Sequence, residues 1–456
     1  MYDIIFIGSG PGGYAGAVRA SQLGAKVAVI EKAELGGVCL NWGCIPTKAL
    51  LKSAQVYKYA KSAAEFGVCV EGVSADIAKM VERSRGVASQ MNKGVEFLMK
   101  KNGVQVITGV GKIVEKGRVE VDGTIYEARN IIVATGARPR CVDAIPVDGV
   151  RVLNSRGALL NDKIPQSLIV VGSGAIGLEF ASFYSALGTK VTVVEFLDRV
   201  APLEDAEISS TLERYLRKNK ITVMTSTAVQ SVESTEDGCK VVVNGKKGEV
   251  TLECDMVLSA VGVSANVEGI GLEECGIELE RGKIKVDLDT YSTNVEGVYA
   301  IGDVIATPAL AHVATAEAIA CVEGIMGHKK ESVNYGAVPS CVYTFCEVAS
   351  VGMTQSEAEA VGEIMVGKFS MMASGKGAAA GMRDGLVKLV FSKESGVLLG
   401  AHLAGLNVTE MIAGLTYMVK NKVTAQDIIS TIHPHPTIAE SVMEAAAAAL
   451  GEAIHG

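Results

Sequence analysis

Short, nearly unbroken apolar runs punctuate the N-terminal half of the chain, and glycine rather than charge closes them. The first, Tyr2–Ile7, leads into Gly8-Ser-Gly10-Pro-Gly-Gly13, a small-residue stretch to Leu23, Gly24, a second run at Lys26–Ile30 and then Glu31. The runs predict strands buried on both faces, and the stretch between them predicts the crossover helix of a parallel pair. Shifted by 164 residues, the pattern recurs: Leu168–Val171, Gly172-Ser-Gly174-Ala-Ile-Gly177, a helix to Leu187, Gly188, Lys190–Val194 and Glu195. Both copies place the acid 23 residues after the first glycine. Ile131–Gly136 and Met256–Gly262 are the expected closing strand and turn of each unit.

A lone Gly-x-Gly-x-x-Gly is weak in a chain with 51 glycines among 456 residues, but strand, helix and acid at matching offsets twice over give it weight. The first glycine permits a tight turn, the second lets backbone approach a pyrophosphate, the third lets the helix pack, and the helix N-terminus faces the anion. A carboxylate ending the second strand accepts hydrogen bonds from ribose and repels a 2′-phosphate, so Glu195 favours NAD over NADP. Two dinucleotide sites follow. Gly8, Gly10, Gly13 and Glu31 define one, and Gly172, Gly174, Gly177 and Glu195 the other.

Charge and hydropathy restrict the partners. The net charge is −8, from 43 basic and 51 acidic residues with both signs interspersed, which argues against a nucleic-acid surface or a polybasic membrane patch. Mean hydropathy is high at +0.30, yet no apolar run approaches the ~18 residues of a membrane span. The first strand starts at once and leaves no room for a secretory signal. A cytoplasmic protein is expected, in which most of the ten Cys are reduced bystanders.

The first unit is longer than the second by an insertion after Glu31, and it holds Gly36-Gly-Val-Cys39-Leu-Asn-Trp-Gly-Cys44-Ile-Pro-Thr-Lys48, followed by a helical run from Lys48 to Lys61. In an ideal helix, residues five apart lie about 8.6 Å from each other. A disulfide needs roughly 4.4–6.8 Å. Cys39 and Cys44 can bond only across a distorted turn, for which Gly43 supplies the freedom. A helix N-terminus and nearby Lys48 would lower a thiolate pKa there. Metal binding would need further ligands at zinc-like spacing, and none is nearby. Cys341 and Cys346 share the spacing, but their surroundings read as strand, where they would point to opposite faces as structural residues. Cys239, Cys254 and the other cysteines have no partner spacing. Near the C-terminus, Thr437 and Glu440 read as a capping box for the last Ala-rich helix, and His433 and His435 flank Pro434.

These motifs, with Ala134-Thr-Gly-Ala-Arg-Pro139, Tyr299-Ala-Ile-Gly-Asp303 and His433-Pro-His435-Pro-Thr-Ile-Ala-Glu440, run the length of the chain. The sequence resembles the flavin-dependent pyridine-nucleotide disulfide oxidoreductases. The resemblance implies FAD in the first unit, held also by Thr135, Gly136, Gly111, Asp303 and Ala311, with Lys48 beside the flavin and paired with Glu179. It implies NAD in the second, touched by Val229 and Gly262. Cys39 and Cys44 become the redox disulfide, and His435 the base, supported by Glu440 and acting on the disulfide of the other subunit of a homodimer. The implied activity is oxidation of dihydrolipoyl groups with reduction of NAD, and the implied partners are lipoyl domains of 2-oxo acid dehydrogenase or glycine cleavage complexes.

Some positions depart from the family pattern. Gly262-Val-Ser-Ala-Asn266 lacks a usual Arg near the nicotinamide nucleotide, Cys346 replaces a common Pro, and Ser374-Gly-Lys376 replaces a usual interface segment. Against rival members, Glu195 speaks against an NADPH-dependent reductase of glutathione-like disulfides. The ending Glu452-Ala-Ile-His-Gly456 lacks the vicinal Cys of a mercuric-ion reductase, and a soluble transhydrogenase usually lacks the second redox Cys, present here as Cys44. A rival of another class is a flavin-bound scaffold without turnover. The expected architecture is α/β: two Rossmann-like dinucleotide-binding domains and a C-terminal α+β dimerisation domain. The expected segments are 1–148 (FAD and disulfide), 149–264 (NAD), 265–334 (completing the FAD site) and 335–456 (interface), with no lipoyl domain ahead of Gly8.

Overall fold

The computed structural model describes residues 1–246, 248–328 and 331–455, so Gly456 lies outside the described residues. Tyr2–Ile7 forms the strand its apolar run demands, pairing in parallel with Val27–Glu31 on one side and Thr124–Val133 on the other. Gln105–Thr108 extends the sheet past Val27–Glu31. Val298–Ala300 pairs with Thr124–Val133, so the chain returns to this sheet from far downstream. Arg118–Val121 and Lys112–Glu115 add an antiparallel edge through the long strand Thr124–Val133.

The second unit repeats the plan. Its parallel sheet runs Thr222–Met224, Lys190–Val194, Ser167–Val171, Met256–Ser259, Val152–Asn154. The helices Pro11–Gln22 and Ala175–Ala186 cross over behind the two glycine turns. Between second and third strands, the second unit has one helix, Ala206–Lys218, whereas the first has Gly37–Trp42, Cys44–Lys61 and Ile77–Lys101. The insertion after Glu31 is therefore helical. A short antiparallel ribbon, Ala137–Pro139 with Val263–Ala265, ties the ends of the two units together. The departing segment at 262–266 thus has a packing role, and Asn266 Nδ2 donates to the Thr135 carbonyl at 2.9 Å.

The C-terminal part is an antiparallel five-stranded sheet in the order Ser340–Val342, Glu347–Gly352, Leu398–Gly405, Leu386–Ser392, Ile364–Ser370. Helices Val408–Lys420 and Glu440–Leu450 bury their apolar sides against it. Among the described residues no helix is long and apolar enough to cross a membrane.

Three local expectations are corrected. Cys341 and Cys346 do not share one strand: Ser340–Val342 turns back through residues 343–346 and pairs antiparallel with Glu347–Gly352, Cys341 opposite Ala349. Their structural reading survives, because burial pushes the Cys341 thiol up to about 11 and that of Cys346 to about 12. Cys239 and Cys254 do have a partner, each other. Strands Cys239–Gly245 and Gly248–Cys254 place them directly opposite on the buried face of a ribbon, and burial raises both thiols, Cys254 to about 12. Thr437 does not cap the last helix. That helix starts at Glu440 with Ala439 at its N-cap, while the Thr437 hydroxyl donates to the Pro434 carbonyl at 2.8 Å.

Candidate active site

The two phosphate turns agree contact by contact. A Cβ on Gly8 or Gly172, both at positive φ, would lie 2.3 or 2.4 Å from the carbonyl oxygen of Ala134 or Ala260. A Cβ on Gly13 or Gly177 would lie 2.0 or 2.1 Å from the carbonyl oxygen of its own turn's first glycine. Gly10 and Gly174, by contrast, face open space. Each is the N-cap of its crossover helix, with no side-chain cap, so first-turn amides are left for an anion. A dinucleotide pyrophosphate fits both cradles.

Other expected cofactor residues cluster around the first turn. Thr135 and Gly136 follow the strand Thr124–Val133, and the Thr135 hydroxyl donates to the Asn266 carbonyl at 2.6 Å. Asp303 lies in the short turn Gly302–Val304, where burial pushes its carboxyl up and Lys283 partly offsets this. Ala311 is the first residue of the uncapped helix Ala311–Ile325. Gly111 is buried, wedged where a Cβ would press on Ile7 and Ile30 at 3.2 Å. At the second unit, Val229 lies on the strand Ala228–Ser234, and Gly262, at φ +102°, accepts from the Arg140 amide at 3.0 Å.

The redox segment is pinned to the first turn. The Gly36 amide donates to the Ser9 carbonyl at 3.1 Å, and a Cβ on Gly37 would lie 2.6 Å from the Gly10 Cα. Helix Gly37–Trp42 ends at Gly43, whose ψ of −112° breaks the spiral before a new helix begins at Cys44. The helix thus starts four residues before the expected Lys48. The break is the distortion the spacing required, and it brings the Cys39 and Cys44 thiols into hydrogen-bond contact as free cysteines. The hydrogen bond from Cys39 lowers Cys44 to about 7, against burial and with help from the Lys48 ammonium. Donating that bond, together with burial, holds Cys39 far above the ordinary thiol range. Of the pair, Cys44 is the thiol that ionises more readily.

Lys48 lies one turn beyond Cys44, its Nζ 2.9 Å from both carboxylate oxygens of Glu179. Glu179 is 4% exposed, on the second unit's crossover helix. Tyr343 from the C-terminal hairpin completes the cluster. Its amide donates to Glu179 Oε1 at 3.2 Å, and its ring lies 4.3 Å from Lys48 Nζ. The sequence reading missed Tyr343, because no local spacing links a hairpin turn to a helix so far upstream.

At the far end of the chain, His435 Nδ1 lies 2.8 Å from Glu440 Oε1. The Thr437 amide donates to Glu440 Oε2, also at 2.8 Å. Burial works upward on Glu440 but is outweighed by the Thr437 amide and the His435 imidazole, which hold its carboxyl below the usual range. The other edge of the imidazole is free: the side chain is 79% exposed. Sequence reading also passed over Ser9 and Ser173, although both motifs read Gly-Ser-Gly.

A dithiol beside a lysine–glutamate pair, served by two dinucleotide cradles, defines a disulfide oxidoreductase that uses nucleotide cofactors. The pyridine nucleotide-disulphide oxidoreductase model matches residues 2–318, and the dimerisation domain of the same family matches 338–446. The chain belongs to this family. It is 44% identical to a dihydrolipoyl dehydrogenase of Rhizobium etli over 100% of this chain and 99% of that one. It is 46% identical to one of Chlorobaculum parvum (99% and 97% covered) and 43% identical to one of Bacillus subtilis (100% and 99%). The crystal structure of LpdA from Mycobacterium tuberculosis superimposes with a TM-score of 0.90 at 30% identity, covering 97% of this chain and 99% of that one. Within the family, the chain groups with the dihydrolipoyl dehydrogenases.

Proposed function

We propose that the chain oxidises protein-bound dihydrolipoyl groups to lipoyl groups and reduces NAD, as a homodimer whose active sites are shared between subunits. The observation that carries the reading is the Cys39/Cys44 pair, one thiol held high and the other low, beside Lys48. His435 of the partner subunit, with its Nδ1–H toward Glu440, takes a proton from a substrate thiol at Nε2. The substrate thiolate attacks Cys39 Sγ of the oxidised Cys39–Cys44 pair, forming a mixed disulfide and releasing Cys44 as thiolate. The second substrate thiol then attacks the first sulfur and breaks its bond to Cys39; the lipoyl disulfide closes, and the proton lost by the second thiol ends on Cys39. The substrate loses two electrons and the cysteine pair gains them.

FAD, when bound, would supply the acceptor for that electron pair and the hydride donor to NAD. Gly8, Gly10, Gly13, Glu31, Thr135, Gly136, Gly111, Asp303 and Ala311 would hold FAD; Gly172, Gly174, Gly177, Glu195, Val229 and Gly262 would hold NAD. Cys44 and Lys48, with Glu179, line the flavin side of the disulfide in this reading. The macromolecular partners are lipoyl domains of 2-oxo acid dehydrogenase or glycine cleavage complexes, in the cytoplasm. Steady-state turnover of dihydrolipoamide with NAD and NADP in parallel tests the reading, and NAD should be strongly preferred. Cys44→Ser should keep FAD and lose lipoamide turnover; turnover retained by that variant overturns the assignment.

A further inference from the structure

Both phosphate turns carry a serine between their first two glycines, and both serines are 0% exposed. Ser173 Oγ donates to Glu195 Oε2 at 2.6 Å, and its amide donates to the same oxygen at 2.8 Å. The Leu197 amide donates to Glu195 Oε1 at 2.8 Å. At the other site, Ser9 Oγ and amide donate to Glu31 Oε2 at 2.6 and 3.0 Å, and the Ala33 amide donates to Oε1 at 3.0 Å. The same three-donor cradle thus arises twice, on turns 164 residues apart.

A glutamate at a strand end has three rotatable side-chain bonds and would otherwise sample several positions. Three donors remove that freedom. They saturate Oε2 and leave Oε1 a lone pair for a ribose hydroxyl. At the second site the fixed charge also meets any 2′-phosphate, and cannot swing away from it. In the adjoining loop, Arg199 is paired with Asp198 at 3.0 Å.

We propose that Ser173 is a positioning residue that sets the preference for NAD over NADP by holding Glu195, and that Ser9 does the same for Glu31 at the flavin ribose. The inference rests on the reading of the second unit as the NAD site. Calorimetric titration of NAD and of NADP into the flavin-loaded dimer tests it. Ser173→Ala should lower the NAD/NADP affinity ratio about tenfold, the worth of one charge-assisted hydrogen bond. Ser173→Thr, which keeps the hydroxyl, should restore the ratio. In a Glu195→Ala background, Ser173→Ala should change the ratio no further, because the serine acts only through that carboxylate. If the alanine variant does not fold, Ser173→Cys, of similar volume with a weak donor, carries the same expectation. Ser9→Ala should instead raise the fraction of flavin lost on dialysis. An unchanged ratio in Ser173→Ala, or an equal loss with Glu195 already removed, overturns the proposal. A wild-type dimer without preference for NAD overturns the underlying reading before any variant is compared.

Discussion

Lys48 and Glu179 act on Cys44 in opposite senses: the ammonium lowers its pKa and the carboxylate raises it. Because the two are ion-paired, each charge also limits the reach of the other. In the two-electron-reduced enzyme, the long-wavelength thiolate–flavin band should therefore titrate with a midpoint near 7, lost as pH falls. Glu179→Gln should move the midpoint down and Lys48→Met should move it up, both followed by absorbance against pH. Equal movement in the same direction would remove the electrostatic account. The cysteines themselves were legible, since a reactive pair needs only local spacing, a glycine and a nearby cation. Which sulfur ionises more readily was not, because it depends on the break at Gly43 that turns Cys39 toward Cys44.

At the scale of elements, the second unit and the C-terminal sheet are joined by a buried ion pair. Lys388, on the strand Leu386–Ser392, is 2% exposed, and its Nζ lies 2.8 and 3.0 Å from the Asp205 oxygens. Asp205 also caps the helix Ala206–Lys218 through the Glu207 amide at 3.0 Å. Burial pushes its carboxyl up, but Lys388 and the amide bonds outweigh burial and hold it below the usual range. Lys388→Met would leave that charge buried and unpaired, at a cost of roughly 3–5 kcal/mol by denaturant melting. Adding Asp205→Asn should recover part of the loss. A carboxyl depressed by folding stabilises above its unfolded value of about 3.9, and the contribution is lost as pH falls through its folded value. The gap between wild type and Lys388→Met should accordingly close in acid. Neither residue is marked by any motif. Likewise, the opposition of Cys239 and Cys254 follows from hairpin register, which spacing alone does not reveal.

For the whole molecule, His435 and Glu440 are oriented for proton transfer, and within one protomer the free edge of the imidazole faces outward. If each site takes its disulfide from one subunit and its base from the other, Cys44→Ser and His435→Gln dimers, each nearly inactive, should regain activity on subunit exchange. A 1:1 mixture should reach about a quarter of wild-type turnover, since half the dimers are mixed and each has one intact site. No recovery would place disulfide and base in the same protomer.

Much of what depends on neighbours a few residues away was determined by the sequence itself. The third glycine of each phosphate turn is required because the carbonyl oxygen of the first, five residues earlier, leaves no room for a Cβ. The acids lie at a constant offset because one strand–helix–strand unit has a constant length, and the cysteines need a flexible residue between them. Only the tertiary structure decided what long-range packing decides: the serine cradles around Glu31 and Glu195, the seating of Tyr343 on the Lys48–Glu179 pair and the Lys388–Asp205 clasp. In each of these, a polar group removed from water takes as its partner whichever chemically suitable side chain the fold brings within reach, and sequence distance does not constrain that choice.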